Sequence, residues 1–494
     1  MKKSWITFIC ILLCVLIPAL AVISAALFIP VQFDRTFLGE LKDKVERLYS
    51  TDEPKIVVIG GSSVPFGVDS VLMEEMLGMP VVNFGLYATL GTKLMLDLSR
   101  KAIGKGDVIV IAPETDAQTY SLYFNAEATW QACDGNFSTL TKISSDNFPD
   151  MLGGVWKFAA QKIKYATAEE HLDPSGIYNK ASFNEYGDIS AERPYNIMPV
   201  GFDSTMKINI SPEIISEDFI DYVNDYVKFA EKKGARVLFS FAPMNENALD
   251  ESLTMDDLRA FSAFIDERFN AERISDPNGY IYRGGYFYDS NFHLCSAGMI
   301  MHTANLAGDI AKALDIPLLK TVEIPPEPQV PDTPDDKPTF DYDENEKYFV
   351  FEEITGKGEI IGYRIVGVSD AGKAQSVLHT ATAYNSLPVL EFAPHVFDGC
   401  DTLSELYISA AEKIESISLQ NGVFSGADNL KKIHVTEENP ERIKVDSTVD
   451  DPFKGLCEGM NRSAMICVPK AAYDAYLTNY FWSTYVEHGV VAAE

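Results

Sequence analysis

Lys55-Ile56-Val57-Val58-Ile59-Gly60-Gly61-Ser62-Ser63-Val64-Pro65-Phe66-Gly67 decides the fold of this chain. The run up to Ile59 is apolar and β-branched without alternation, the pattern of a strand covered on both faces. Two glycines follow, which let the backbone turn sharply and bring a serine close to a ligand. A hydroxyl at the C-terminal end of a strand, ahead of a helix N-terminus, sits where backbone N–H groups stabilise anions. The same residues also suit an ordinary strand-to-helix turn with serine as N-cap, so the segment alone leaves two readings open.

Outward from this point the pattern recurs. Val81–Phe84, Val108–Ile111 and Val237–Phe241 read as further buried strands, and Arg273–Ser275 as a fifth candidate. Phe219–Lys233 has helical periodicity and ends at Gly234, a C-cap, while Ser296–Leu314 reads as a closing helix. Apolar strands separated by helices predict an α/β unit with a parallel sheet covered on both faces and its active site at the carboxyl ends of the strands. From Asp116 to about Ser211 an insertion separates the third and fourth strands and carries Tyr120, Tyr123, Phe124, Trp130 and Trp156. It is either a lid or groove wall, or a helical excursion with its own small core.

Lys2 and Lys3 precede an apolar run from about Ile6 to Ile29. Roughly 24 helical residues span about 36 Å, enough for a hydrocarbon core of about 30 Å. With the lysines inside, the chain beyond this anchor lies outside the cytoplasm. A cleaved signal peptide ending near Ala19-Leu20-Ala21 is the competing reading and gives the same compartment. Residues 31–50 read as a short amphipathic helix leading off the membrane. The expected organisation is a transmembrane signal-anchor (1–30), an α/β domain (31–320), a Pro/acidic linker (321–347) and a repeat domain (348–494).

That last domain repeats itself. Val396-Phe397-Asp398-Gly399-Cys400-Asp401-Thr402-Leu403-Ser404-Glu405-Leu406-Tyr407-Ile408 is matched 27 residues later by Val423-Phe424-Ser425-Gly426-Ala427-Asp428-Asn429-Leu430-Lys431-Lys432-Ile433-His434-Val435. A weaker echo runs from Phe453 to Pro469. One such repeat cannot bury its apolar edge alone, so neighbours stack into one core. The pattern resembles the bacterial-surface type of leucine-rich repeat, in which Val468-Pro469, Tyr473, Tyr476 and Trp482 would form the closing cap.

The whole chain of 494 residues carries a net charge of -31, which excludes the basic footprint of nucleic-acid binding. Its seven cysteines are scattered, with no CxxC and no histidine at ligand spacing, so neither zinc site nor disulfide framework is expected. Cys400 reads as a core residue.

A serine nucleophile needs a base oriented by a third group. Three histidines precede the linker. His171 lies in the insertion, and His302 falls inside the closing helix as a structural residue. His293 stands in Tyr288-Asp289-Ser290-Asn291-Phe292-His293-Leu294, just before that helix. A carboxylate four residues ahead of an imidazole can fold back on it in a tight turn.

Taken in order, these blocks resemble the SGNH (GDSL-like) hydrolases over about residues 53–316. Gly61-Ser62-Ser63 looks like their Gly-Asp-Ser block, Asn83-Phe84-Gly85-Leu86-Tyr87-Ala88 like the second block, and Asp289 to Gly298 like the last. The resemblance implies a three-layer α/β/α flavodoxin-like sheet, with Ser63 as nucleophile, His293 as general base and Asp289 as its orienting partner. It implies an oxyanion hole from the Ser63 N–H and one from the Gly85–Ala88 turn. Asp and His are usually three apart in the family, so either the loop is one residue longer or Asn291 orients His293. The usual Gly-x-Asn third block is replaced by Ala112-Pro113-Glu114-Thr115-Asp116. With Asn83 and Asn291, Glu114 and Thr115 are candidate substrate contacts, and no metal or cofactor is expected.

The resemblance implies an anchored extracytoplasmic serine esterase or O-acyltransferase, with acylated glycans or small esters as substrates and a possible protein or glycan ligand of the repeats. The alternative is a catalytically inactive surface protein whose repeats mediate adhesion.

Overall fold

The computed structural model describes residues 23–494, apart from 25, 168–175, 199, 251, 330–339, 341–342, 357–358, 447–448, 450 and 480. His171, Cys10, Cys14, most of the expected anchor and much of the linker lie outside the described residues. Among the described residues no helix is long and apolar enough to cross a membrane.

The expected strands form as β1 (Ile56–Gly60), β2 (Val81–Gly85), β3 (Val108–Ile111), β4 (Arg236–Phe239) and β5 (Glu272–Arg273). All pair in parallel, in the order β2-β1-β3-β4-β5. Every residue of β1, β2 and β3 is buried. Side chains alternate between the two faces of a strand, so both faces are covered. The α/β class with a parallel sheet is therefore as read from the sequence. The order reverses between β1 and β3, the position at which sheets of this class place their ligand sites, at the carboxyl ends of the strands.

The helix at Glu217–Lys233 begins on a Ser216 cap and ends at Gly234 in the left-handed region; the last helix is Ser296–Leu314. The segment 31–50 holds the expected short amphipathic helix. This helix, Leu41–Ser50, buries Leu41, Val45 and Leu48, while Arg47 donates to the Val81 carbonyl on β2. Rather than leading away, it packs on the sheet, because its apolar stripe matches the exposed edge of β2. The insertion forms helices at Ala126–Ala132 and Phe148–Thr167, joined to irregular segments that return to the sheet.

The C-terminal region has its own hydrophobic core. One parallel sheet orders 377–379, 405–408, 432–435, 465–468 and 491–493; the chain alternates between it and a second sheet containing 387–392, 417–419 and 443–444. Leu406 stands beside Ile433, and Ile433 beside Ile466, at each corresponding position of the repeat. Cys400 is buried there, as are Tyr476 and Trp482.

Candidate active site

β1 delivers its turn to the carboxyl edge of the sheet. Gly61 lets the Glu114 carboxylate approach closely: a Cβ at this position would meet it at 2.7 Å. Ser62 occupies the N-cap position of the short helix Ser63–Gly67 but makes no side-chain cap, so its hydroxyl is free for another partner. That partner is His293, whose Nε2 lies 2.8 Å from Ser62 Oγ. On its other side, His293 Nδ1 is 2.9 Å from Asp289 Oδ1. Asp289 accepts at Nδ1–H, which fixes the tautomer and leaves Nε2 to accept the serine proton. Two segments more than two hundred residues apart thus meet at one rim of the sheet.

The four-residue spacing of Asp289 and His293 is accommodated by a longer turn. The Tyr288 N–H donates to the His293 carbonyl at 2.9 Å, and Ser290 Oγ accepts from the His293 N–H at 3.2 Å. Asn291 does not orient the imidazole. Its side chain accepts from the Asp203 N–H at 2.8 Å and donates to the carbonyls of Asp203 and Met206, stitching the His293 loop to the end of the insertion.

Ser63, expected as the nucleophile, is displaced from that role. Its Oγ is buried without a hydrogen-bond partner, while the neighbouring serine faces the imidazole. The block is therefore Gly60-Gly61-Ser62, one position earlier than read. The two serines are adjacent, and only the direction of the turn separates them.

The expected oxyanion hole is also altered. The Ser63 N–H donates to Glu114 Oε1 at 2.8 Å, and the same oxygen lies 3.3 Å from Ser62 Oγ. One hydroxyl proton cannot serve both Glu114 and His293. The Gly85 N–H, at the end of β2 where it pairs with β1, lies 3.4 Å from its neighbour Asn83 Oδ1. Ala88 opens a 3-10 turn whose carbonyl accepts from Gln118. Glu114, buried just beyond β3, thus touches Ser62, whereas Thr115 Oγ1 is turned to Met244 Sδ at 3.3 Å.

Asn83 is structural. Lys44 Nζ donates to its side-chain and backbone oxygens, both at 3.1 Å, and its amide donates to Asp188 at 2.8 Å and the Val64 carbonyl at 3.2 Å. This network ties β2 to the turn after β1. Burial pulls the Lys44 ammonium down to about 8, against the opposing pull of Glu40 and Asp188. His302 is also structural, with Nδ1 3.1 Å from the Tyr282 hydroxyl, and burial holds it at about 3.

Three site residues escaped the sequence reading. Tyr178 of the insertion donates to Asp289 Oδ2 at 2.6 Å and lies 3.2 Å from His293 Nδ1. Phe66 stacks on the imidazole with ring centres 4.0 Å apart. Lys444, a buried residue of the C-terminal region, donates to the Asp289 carbonyl at 3.2 Å. Only Phe66 had a signal, since it lies one helical turn from Ser62. Burial pushes the Asp289 carboxyl up, but the His293 charge, the bonds from His293 and Tyr178, and the Lys444 charge together hold it below the usual carboxylate range.

Among the described residues, one group of metal-ligand type, His434, Cys467 and Glu494, brings its donor atoms within 4.8 Å. Glu494 is already engaged there by Lys432 and by His434 Nδ1. No protein-family model matches the chain, and no curated protein matches it in sequence. What identifies the site is therefore its geometry: a serine, an imidazole and a carboxylate in hydrogen-bonded sequence at the carboxyl edge of a parallel sheet.

Proposed function

We propose that the chain is an SGNH-type serine esterase or O-acyltransferase fused to a leucine-rich repeat domain, held outside the cytoplasm by residues 1–30. Its substrates are acyl esters, acetyl above all, on cell-envelope or extracellular glycans. The observation that carries the reading is the continuous path from Ser62 Oγ through His293 to Asp289, at 2.8 and 2.9 Å. The strand order β2-β1-β3-β4-β5 fits the flavodoxin-like sheet of that class.

Ser62 Oγ attacks the ester carbonyl while its proton passes to His293 Nε2. Asp289 stabilises the imidazolium, which then gives its proton to the departing sugar alkoxide. The acyl group remains on Ser62. Water or an acceptor hydroxyl, deprotonated by His293, attacks next and releases Ser62. With Ser62 as nucleophile, its own N–H takes the oxyanion place that the resemblance gave to Ser63, and the Ser63 N–H can add to it only by turning from Glu114. One such donor contributes about 2.7–4 kcal/mol.

A second reading has a specific observation in its favour. Glu114 takes up the Ser63 N–H that would add to an oxyanion hole, as suits a surface protein with a silent site and repeats that bind a partner. A fluorophosphonate probe separates the two. Labelling abolished by Ser62→Ala and retained in Ser63→Ala supports the esterase; no labelling of folded protein leaves the binding protein.

A further inference from the structure

Beside the triad a cleft runs between the insertion and the end of the C-terminal region, with about 850 Å³ of space, counting the part open to solvent. Its walls come from sequence-distant parts: Tyr87 follows β2, Gln131, Gln161, Tyr165 and Tyr178 belong to the insertion, and Glu487 lies in the last helix of the chain. Tyr178 belongs to both sites, since its ring lines the cleft while its hydroxyl holds Asp289.

The lining has a definite chemistry. Tyr87 and Tyr178 contribute aromatic rings to the wall, both packed against Phe37. Gln131 donates to the Gln161 side-chain oxygen at 2.8 Å and Gln161 in turn donates to Glu127, which leaves the Gln131 oxygen as an acceptor. The Tyr165 hydroxyl is buried and has no hydrogen-bond partner. An unpaired buried hydroxyl costs free energy that a ligand hydroxyl would recover. Among the cleft residues there is no lysine or arginine to match an anionic ligand, and the chain's charge of -31 opposes one. Aromatic rings, amides and hydroxyls without cations suit a neutral polyhydroxylated ring.

We infer that this cleft is the saccharide subsite of the proposed esterase, taking a neutral sugar unit between the insertion and the terminal helix and presenting its ester toward Ser62. The inference rests on the proposed function for its catalytic half, while the binding half stands alone. Burial and the nearby Glu127 push the Glu487 carboxyl up to about 8, so near neutral pH it is largely protonated and can donate to a sugar oxygen.

The full chain in detergent, titrated calorimetrically with neutral oligosaccharides (xylo-, cello- and N-acetylglucosamine oligomers), tests it. At least one series should bind, with affinity reduced about tenfold in Tyr165→Phe, a loss of one hydrogen bond. Glu487→Leu should weaken it similarly and Glu487→Gln should not. Turnover of p-nitrophenyl acetate by the wild-type chain reads the catalytic half separately. Failure of every oligosaccharide to bind, or binding equal in wild type and Tyr165→Phe, overturns the subsite. Saccharide binding sensitive to Tyr165→Phe in a chain without p-nitrophenyl acetate turnover keeps the subsite and removes the esterase.

Discussion

The sheet that carries Ser62 and the sheets of the C-terminal region are both built on parallel strands, yet they use their surfaces differently. In the first, β1 to β3 are buried along their whole length, so neither face can receive a ligand. Polar side chains gather at the strand ends, where Ser62 follows β1 and Glu114 follows β3. In the second, strands such as Glu405–Ile408 and Lys432–Val435 alternate, with Leu406, Ile408, Ile433 and Val435 fully buried and their neighbours outward. The outward face carries a stacked ladder of His379, Tyr407 and His434, with ring centres 4.4 and 4.2 Å apart. A sheet closed on both faces concentrates polar groups at one rim; a sheet with one open face spreads them. The two regions meet at Lys444 and Asp289, so the second braces the first.

The largest effect expected from breaking this contrast lies at the strand end. Ser62→Ala should reduce p-nitrophenyl acetate turnover by at least about 10³-fold, with Ser63→Ala far milder. Equal losses in both would mean that the turn does not discriminate between the serines. Glu114→Gln keeps the shape and offers an N–H donor in place of a second acceptor beside Ser62. It is expected to raise kcat/KM at neutral pH by about 10-fold or more, within the range of one oxyanion donor. A fall instead would give Glu114 a positive part in catalysis.

In the C-terminal core, Ile433→Ala should cost about 2–5 kcal/mol in chemical denaturation of that region, and turnover should fall only as the brace on Asp289 loosens. Lys444→Met removes the brace alone. We expect a several-fold loss of kcat with little change in KM, and an acid limb of the pH profile moved upward. Lys444 is one of the charges that keep Asp289 ionised. Because folded Asp289 binds its proton more weakly than the unfolded chain does, its contribution to stability is present above the unfolded value and is lost as pH falls through the folded one. Losing Lys444 brings that loss on at higher pH.

The smallest effect concerns Glu487. Its carboxyl is held up at about 8 by burial and Glu127, so the folded protein binds a proton that the unfolded chain releases above its ordinary value of 4.5. This contribution is full below 4.5 and declines as pH rises toward 8. Glu487→Gln should therefore raise Tm by a few degrees above about pH 8 and leave it unchanged near pH 5. The same rise at both pH values would assign the effect to packing.

The parallel sheet, its strands and the closing helix were legible because burial on both faces demands uninterrupted apolar runs, and Gly234 and Ser216 mark helix ends by backbone geometry. His293 and Asp289 were legible as a pair because four residues can close one turn. The choice between Ser62 and Ser63 was not, since two identical side chains on one turn differ only in the direction the backbone gives them. Asn83 and Asn291 looked like substrate contacts because an amide near a glycine turn has the same sequence signature whether it serves a ligand or a backbone carbonyl.

Local pattern alone determined the strands, the repeat of 27 residues and the candidate imidazole, because each depends on neighbours within a few turns of chain. Tertiary structure alone decided which serine meets the base, that Tyr178 and Lys444 reach Asp289, and that Glu114 contends for the same hydroxyl. Those contacts join residues separated by 231, 111, 155 and 52 positions. No short-range preference encodes such distances; they follow only when burial of both cores brings the strand ends and the two regions together.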